Sequence, residues 1–330
     1  MKFKIVIFLT FFYGVCFNLQ SQQVYSKKEP LAHTYSIVAR DRITGEMGVA
    51  VQSHWFSVGS LVAWGKAGVG VVATQSFVNP SFGPRGLNLL ENGLSPKMVV
   101  ENLLNLDEGR EVRQLAILDV HGNVEAYTGK NCIKEAGHIV GDNFSVQANL
   151  MEKNTVWPAM AEAFKTAAGT LAERMLAALE AAQKEGGDIR GKQSVALLVV
   201  KAKSTGNSWE DKVVDLRVED SEQPLVEMKR LLTIHKAYEY MNKGDLAVEI
   251  NDFDLAKEHY KNAQKLQPNN LEMQYWYAVT LANIGEFEKA KPIFKNIFAE
   301  NEKWKELTPR LLKPKLLLIS QEQLQEILKL

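Results

Sequence analysis

The hydrophobic residues of the first two thirds of the chain fall in short runs rich in β-branched side chains. Two such runs, 35–39 and 48–52, flank a polar turn at 41–46 that contains Gly45. Glycine readily adopts the positive φ that tight hairpin turns require. The pattern therefore predicts a β-hairpin over residues 33–53.

Similar runs and turn signals predict further elements as far as residue 218. Strands are predicted at 61–64, 69–75, 113–120, 124–128, 144–149, 194–200 and 213–218. Helices are predicted at 85–91, 95–105, 158–168 and 170–184. The early strands form hairpins without crossover helices, which favours two packed sheets with helices outside over a doubly wound parallel sheet. We therefore expect an α+β domain over 33–219.

From residue 224 onward the pattern is helical and repeats. Residues of the same type or size recur 34 positions apart by subtraction, as in Ala256 with Ala290, Tyr260 with Phe294, and Ala263 with Ile297. This is the tetratricopeptide period. It predicts an all-α domain over 224–330, in which 225–242 and 311–330 cap a stack of two repeats.

The first residues have the pattern of a targeting signal, with two early lysines, an apolar run too short to span a bilayer, and Ser21 at a plausible cleavage site. We expect a signal peptide over 1–21, a polar linker over 22–32, and export to the periplasm or the extracellular medium. Lipid anchoring through Cys16 is a less favoured alternative, because the residues before it are a poor lipoprotein signal.

Composition removes several function classes. The 330 residues carry 39 basic and 39 acidic side chains, so neither nucleic acid nor an acidic membrane surface is an expected partner. After export Cys132 would be the one remaining cysteine, and we expect a small packed core residue there, with a catalytic role as the less favoured alternative. The histidines form no metal-binding motif, and the glycine-rich stretch 186–193 lacks the ending of a phosphate-binding loop. We therefore expect no metal or other cofactor.

Thr34 opens the predicted hairpin, which is the place of the nucleophile in enzymes that use the first residue of a processed chain. A threonine hydroxyl needs a nearby base, and a free α-amino group with a pKa of about 7.7–8.0 suits that role. Thr34 is internal, so a cut before it, autocatalytic or by a protease, would be required. Ser36, on the same strand face, is an alternative nucleophile that needs no cut.

Two further groups are candidates for the site. Ser145, Gln147 and Asn149 alternate on one strand face, where an amide of Gln147 or Asn149 could stabilise an oxyanion and the alternative is a solvated sheet face. The glycine-rich loop and the start of the next strand carry substrate-binding candidates or incidental polar residues: Asp188, Arg190, Gln193 and Ser194. Arg40 and Asp41 are expected to form a local ion pair that shapes the hairpin.

Several stretches together resemble the bacterial family called domain of unknown function 1028. They are 34–41, 67–70 with 73–75, 79–86, 113–114, 128–129, 145–149 and 186–194. The resemblance implies a branch of the N-terminal nucleophile (Ntn) hydrolases, whose fold is a four-layer αββα sandwich. It therefore implies an Ntn-like sandwich followed by tetratricopeptide-like helices.

Two functions follow from these patterns. The first is an exported Ntn-type amidohydrolase acting on a small amide or peptide, in which Thr34 attacks, its own amine moves the proton, and Asn149 or Gln147 with backbone amides holds the charge. Its helical domain would recruit a partner or shape access. The second is a catalytically silent scaffold whose repeats hold a protein or peptide partner. A homodimer is expected as a possibility for either.

Overall fold

The computed structural model describes residues 31–330, so the predicted signal peptide, Cys16 and most of the predicted linker lie outside the described residues. The N-terminal part contains strands that all pair in antiparallel fashion. They are β1 (Leu31–Ala32), β2 (Thr34–Arg40), β3 (Met47–Ser53), β4 (Ala63–Lys66), β5 (Gly70–Phe77), β6 (Arg113–Asp119), β7 (Val124–Thr128), β8 (Gly137–Gly141), β9 (Phe144–Ala148), β10 (Ser194–Val200) and β11 (Lys212–Val218).

These strands form two sheets. One has the order β1-β5-β6-β7, with β4 also paired to β5, and the other has the order β11-β10-β3-β2-β9-β8. Side chains such as Val38 and Val51 of the second sheet share a core with Val71 and Ala116 of the first. The two sheets are therefore packed face to face.

The longer helices cover the outer faces of both sheets, whereas one short helix contributes Val62 to the core between them. The N-terminal part has α1 (Gly59–Val62), α2 (Phe82–Glu91), α3 (Pro96–Asn105), α4 (Val156–Thr166) and α5 (Leu171–Lys184). Leu103 of α3 packs with Ile117 of β6, and Met175 of α5 packs with Ile37 of β2. The mixed domain of sheets and helices that the sequence predicted is confirmed.

Three local predictions differ from the structure. Residues 59–62 form a helical turn before β4, where a strand was predicted at 61–64. Helix α2 begins at Phe82 rather than at residue 85. Pro84 is compatible with this start because the first N–H groups of a helix have no partner within it. Strand β8 was not predicted, because Gly-His-Ile-Val-Gly is short and bounded by glycines.

The predicted hairpin is present as β2 and β3. Gly45 in its turn has φ +74°, as the turn requires. The expected Arg40–Asp41 ion pair is replaced by other contacts, because Asp41 pairs with Arg174 of α5 at 3.3 Å and Arg40 donates to Asn143 Oδ1 at 3.4 Å. The hairpin turn is thus held by α5.

The C-terminal part is helical, as predicted. Its helices are α6 (Pro224–Glu249), α7 (Phe253–Leu266), α8 (Leu271–Asn283), α9 (Phe287–Glu300), α10 (Lys303–Leu307) and α11 (Gln321–Leu328). The repeated residues Ala256, Tyr260, Ala290 and Phe294 are all buried. Gly244 allows α6 and α7 to approach closely, since a Cβ there would lie 2.6 Å from the Tyr260 ring.

Helix α6 connects the two parts of the chain. Leu225, Met228 and Leu232 in its first half pack into the core under α5, while Met241 in its second half packs with the repeats. The predicted cap at 225–242 therefore also leans on the first domain. Among residues 31–330, no helix is both long enough and apolar enough to cross a membrane.

Candidate active site

Polar side chains gather at one end of the two packed sheets. Thr34 at the start of β2 lies opposite Ser53 at the end of β3, and Ser53 lies opposite Ser194 at the start of β10. Asn149 follows the end of β9, and its N–H donates to the Thr34 carbonyl at 3.1 Å. Antiparallel pairing thus brings residues far apart in sequence to the same edge.

Thr34 is fully buried in the intact chain. Its hydroxyl donates to the Ala32 carbonyl oxygen at 2.6 Å. Its nitrogen is part of the peptide bond to His33. Thr34 therefore opens the hairpin, but in the intact chain its hydroxyl is bonded to Ala32 and its amine is not free.

The carbonyl group of His33, directly before Thr34, has two side-chain donors. Ser53 Oγ donates to this oxygen at 2.5 Å, and Arg190 Nη2 donates to it at 2.9 Å. Donors on a carbonyl oxygen withdraw electrons from the carbon and stabilise negative charge that develops on the oxygen. The His33–Thr34 peptide bond is thus held in an environment that favours nucleophilic attack on it.

Arg190 is positioned by Asp188. Its Nε and Nη2 donate to the two Asp188 oxygens at 3.0 and 2.7 Å, and the Asp188 side chain is fully buried. Asp188 Oδ2 also accepts from the backbone N–H of His54 at 3.2 Å. A bidentate pair fixes the orientation of the guanidinium plane, so the third contact, to His33, is directional.

The His33 ring is held on two sides. Its Nδ1 is 2.7 Å from Asn149 Oδ1, and its ring packs edge-on against Phe77 with centroids 5.3 Å apart. Burial lowers the pKa of His33, and the positive charge of Arg190 lowers it further, against the opposing effects of Asn149 and Asp188. The neutral imidazole is therefore the form that fits this position.

A ladder of buried amides crosses between the two sheets behind Thr34. Gln75 Nε2 donates to Gln114 Oε1 at 2.7 Å, and Asn149 Nδ2 donates to the same oxygen at 2.9 Å. Gln114 Nε2 in turn donates to the Ala148 carbonyl at 2.9 Å. Every one of these groups is neutral, so the ladder supplies fixed dipoles without a buried charge.

Ser36 belongs to this ladder. Its hydroxyl donates to Gln75 Oε1 at 2.6 Å and accepts from Gln147 Nε2 at 2.7 Å. Gln147 Oε1 accepts from Ser145 at 3.0 Å. An amide oxygen is too weak a base to activate a hydroxyl, so these contacts hold Ser36 and Gln147 in place.

The ladder reaches the surface at its outer end. Gln114 Nε2 donates to Thr128 Oγ1 at 2.8 Å, and Thr128 Oγ1 lies 2.8 Å from His138 Nδ1. Thr128 and His138 line a cleft of about 630 Å³ together with Cys132 and Trp157. Cys132 is half-buried and donates to the Arg113 carbonyl at 3.3 Å, and burial raises the pKa of its thiol.

Two candidates at the same end of the sheets direct their side chains to partners outside this cluster. Gln193 Nε2 donates to Asp220 at 3.0 Å. Ser194 Oγ donates to the Trp55 carbonyl and accepts from the Val58 N–H, at 2.5 and 3.1 Å. Both residues hold the loops next to β10. Of the candidates, the cluster thus brings together Thr34, Ser36, Gln147, Asn149, Asp188 and Arg190.

Sequence reasoning gave no role to His33, Ser53, Gln75 or Gln114. A signal for the two glutamines exists, because each lies in a strand with a run of apolar residues, Val71–Ala73 before Gln75 and Leu115–Leu118 after Gln114. Burying an amide side chain costs free energy unless the amide is hydrogen-bonded. A glutamine in a buried strand therefore predicts a specific hydrogen-bond partner. Among residues 31–330, no group of three or more His, Cys, Asp or Glu could hold a metal ion.

The molecule is a two-domain protein. Its first domain has two packed sheets with a threonine and amide cluster at one end, and tetratricopeptide-like helices follow. Two known families match these two parts of the chain. The family of unknown function DUF1028 matches residues 34–228, and a tetratricopeptide repeat matches residues 247–308. The chain belongs to the DUF1028 family. The resemblance seen in its sequence is thereby confirmed.

Solved structures include a relative in the same family. A DUF1028 protein from Silicibacter pomeroyi is 30% identical and superposes with a TM-score of 0.55, covering 61% of this chain and 88% of its own. Anbu, described as an ancestral beta-subunit, from Yersinia bercovieri is 13% identical, with a TM-score of 0.31 over 60% of this chain and 93% of its own. No protein with a curated description matches.

Proposed function

We propose that the intact chain is the precursor of an Ntn-type amidohydrolase, whose two sheets and outer helices form a four-layer αββα sandwich. The observation that carries the proposal is the His33 carbonyl, which receives hydrogen bonds from Ser53 and Arg190 directly beside the Thr34 hydroxyl. A peptide bond in an ordinary strand has no need of a guanidinium group held by a buried carboxylate. We further propose that the chain is exported.

Maturation would proceed by self-cleavage. After rotation of its side chain away from Ala32, Thr34 Oγ1 adds to the His33 carbonyl carbon, while Arg190 and Ser53 stabilise the oxyanion. The C–N bond to Thr34 breaks and the hydroxyl proton passes to the released nitrogen, leaving an ester. Water hydrolyses this ester to a His33 carboxylate, a free Thr34 amine and a free hydroxyl.

The mature site would then act on an amide. The Thr34 amine accepts the hydroxyl proton as Oγ1 attacks the substrate carbonyl, and it returns that proton to the leaving nitrogen. Water hydrolyses the resulting ester. Arg190, Ser53 and the amide of Asn149 are the donors available to the developing charge.

The experiment measures both the cut and the reactivity of its product. Intact mass should show a chain that begins at Thr34, and a small β-lactone should add its full mass to that residue by ring opening on the hydroxyl. The Thr34→Ala variant should retain residues 31–33 and take no label. Thr155→Ala, an exposed threonine, is the matched control and should mature and react as the parent does.

A second function is favoured by one observation. Thr34 is fully buried with its hydroxyl bonded to Ala32, and a chain that is never cut would lack the working amine. Such a chain would be a scaffold that holds a protein or peptide partner through its tetratricopeptide repeats. A homogeneous preparation that retains His33, with no labelling by the β-lactone, would favour this function over the hydrolase.

A further inference from the structure

Residues 31–33, here called the leader segment, do more than precede Thr34. Leu31 and Ala32 pair as β1 with Phe77 and Ser76 of β5, which belongs to the other sheet from Thr34. His33 crosses between the sheets, and its ring and carbonyl each have defined partners. The leader segment is therefore bound like a ligand at three successive residues.

We propose that the leader segment occupies the acyl half of the substrate site, so that the mature enzyme takes an extended peptide amide with histidine as the acyl residue and a small residue before it. This inference rests on the proposed function, because it requires Thr34 to be the nucleophile. It goes further by naming the chemistry of the substrate.

The position of the reacting carbonyl is the first constraint on the substrate. Self-cleavage and substrate hydrolysis use the same Oγ1 and the same oxyanion donors, Arg190 and Ser53. Those groups are fixed by the Asp188 pair and by strand β3. Because the carbonyl attacked must occupy nearly the same position in both reactions, the residue that carries it must point its side chain into the same space.

That space fits a planar, neutral side chain with a hydrogen-bonding nitrogen. Asn149 Oδ1 receives the imidazole at 2.7 Å, and the Phe77 edge contact requires a flat ring. An aliphatic side chain would leave the buried Asn149 oxygen without its partner. A lysine would bring a second positive charge to within reach of Arg190.

The edge of β5 provides the place for the preceding residues. Strand β4 pairs with β5 only along Gly70–Ala73, so the stretch at Ser76 and Phe77 is free for the leader segment. An extended peptide can add to such an edge through main-chain hydrogen bonds. Ala32 is fully buried there, which allows only a small side chain at this position.

Ser76 gives independent support for a binding edge. It has φ +74°, an uncommon backbone conformation for a residue other than glycine, and it lies directly opposite Ala32. Strained residues of this kind cluster at ligand-binding positions. The end of β5 is thus shaped at the point where the leader segment pairs.

The test compares peptides that differ at one residue. The mature protein is given acetyl-Leu-Ala-His-7-amido-4-methylcoumarin and the matched peptides with leucine or lysine in place of histidine, and kcat/KM is measured from aminocoumarin release. We expect the histidine peptide to be favoured by about tenfold or more, the effect of leaving one buried polar group unpaired. Replacing the alanine of the peptide by phenylalanine should abolish turnover, and Phe77→Leu should reduce the preference for histidine over leucine.

The outcomes separate this inference from the function on which it rests. If Thr34 is labelled by the β-lactone but the histidine and leucine peptides turn over equally, the leader segment does not report the substrate and the hydrolase still stands. If no chain that begins at Thr34 forms, or if it takes no label, the hydrolase fails and this inference fails with it.

Discussion

Arg190 connects the Asp188 carboxylate to the proposed cleavage site, because its guanidinium contacts both Asp188 and the carbonyl before Thr34. Lysine keeps the positive charge but cannot reproduce the bidentate pair and the third contact together. We expect Arg190→Lys to slow the appearance of the chain that begins at Thr34 by about 100-fold, the effect of losing one oxyanion donor. Intact mass over time measures this rate.

The matched control for this variant is Arg230→Lys. Arg230 is a half-exposed arginine whose partner Glu227 lies three residues away on the same helix. It should mature at the parental rate. Equal rates for Arg190→Lys and the parent would show that another protease makes the cut or that the contact is only structural.

The stability of the bound leader segment should depend on pH because of His33. Burial lowers its pKa in the folded chain below 6.5, so protonation favours the detached leader segment over the bound one. The stabilisation of the bound leader segment is fully present above about pH 6.5, the usual histidine pKa, and is lost as pH falls through the lower folded value. In the uncut Thr34→Ala background, the NMR titration of the His33 ring should have its midpoint below 6.5, and acid should increase protease sensitivity at residues 31–33.

His33→Gln is the control for that experiment. Glutamine can still hydrogen-bond to Asn149 but does not titrate. The protease sensitivity of residues 31–33 should then be independent of pH in this range. An unchanged pH dependence would assign the effect to another group.

At the scale of elements, the amide ladder joins the two sheets, and Gln114 is its central residue. Its side chain contacts Gln75, Asn149 and Thr128, so truncation leaves several buried groups unpaired. We expect Gln114→Ala to lower the free energy of unfolding by about 3 kcal/mol, measured by urea denaturation. Gln193→Ala, which removes one contact at the surface, should cost less than about 1 kcal/mol. Similar losses for both variants would contradict a structural role for the ladder.

The same elements show what could be predicted from the sequence. The hairpin of β2 and β3, the strand Ser194–Val200 and the capping box at Thr170 follow from local patterns, which depend on neighbours a few residues away. The site depends instead on which strands pair and in which register. No local pattern shows that Gln75 and Gln147 both reach Ser36 from different sheets.

The leader segment was missed for a related reason. The polar composition of residues 22–30 favours a linker, and two residues, Leu31 and Ala32, are too few to predict a strand. Their pairing comes from an edge of β5 that other elements create. The roles of His33 and Ser53 likewise depend on the folded structure, in which the His33 carbonyl accepts hydrogen bonds from Ser53 and Arg190.

At the scale of the whole molecule, the course of α6 decides how the repeats relate to the site. Its start lies near Gln193, whose carbonyl accepts from Ser221, at the same end of the sheets as Thr34. Further along, Lys236 pairs with Glu173 at 2.9 Å at the start of α5. Arg174 follows Glu173 in α5 and pairs with Asp41, just beyond the end of β2 that is farthest from Thr34.

This course places the repeats at the end of the domain opposite Thr34. Strand β2 has seven residues, so its two ends lie about 20 Å apart. Helices α7 to α9 follow the second half of α6 and therefore extend from the far end. Of the two roles expected for the helical region, this geometry favours recruitment of a partner over control of access to Thr34.

Substitution of a single core residue in the helical region separates these roles. Tyr260 is buried between α6 and α8, and its hydroxyl donates to Asp245 at 2.6 Å. Tyr260→Ala should destabilise the helical region by about 3–5 kcal/mol, as loss of a buried aromatic side chain does. The cut before Thr34 should nevertheless proceed at the parental rate, whereas Met228→Ala, which opens the core under α5, should slow maturation by destabilising the first domain itself. If Tyr260→Ala instead blocks the cut or raises KM for a small amide, the repeats communicate with the site and the assignment to recruitment alone is wrong.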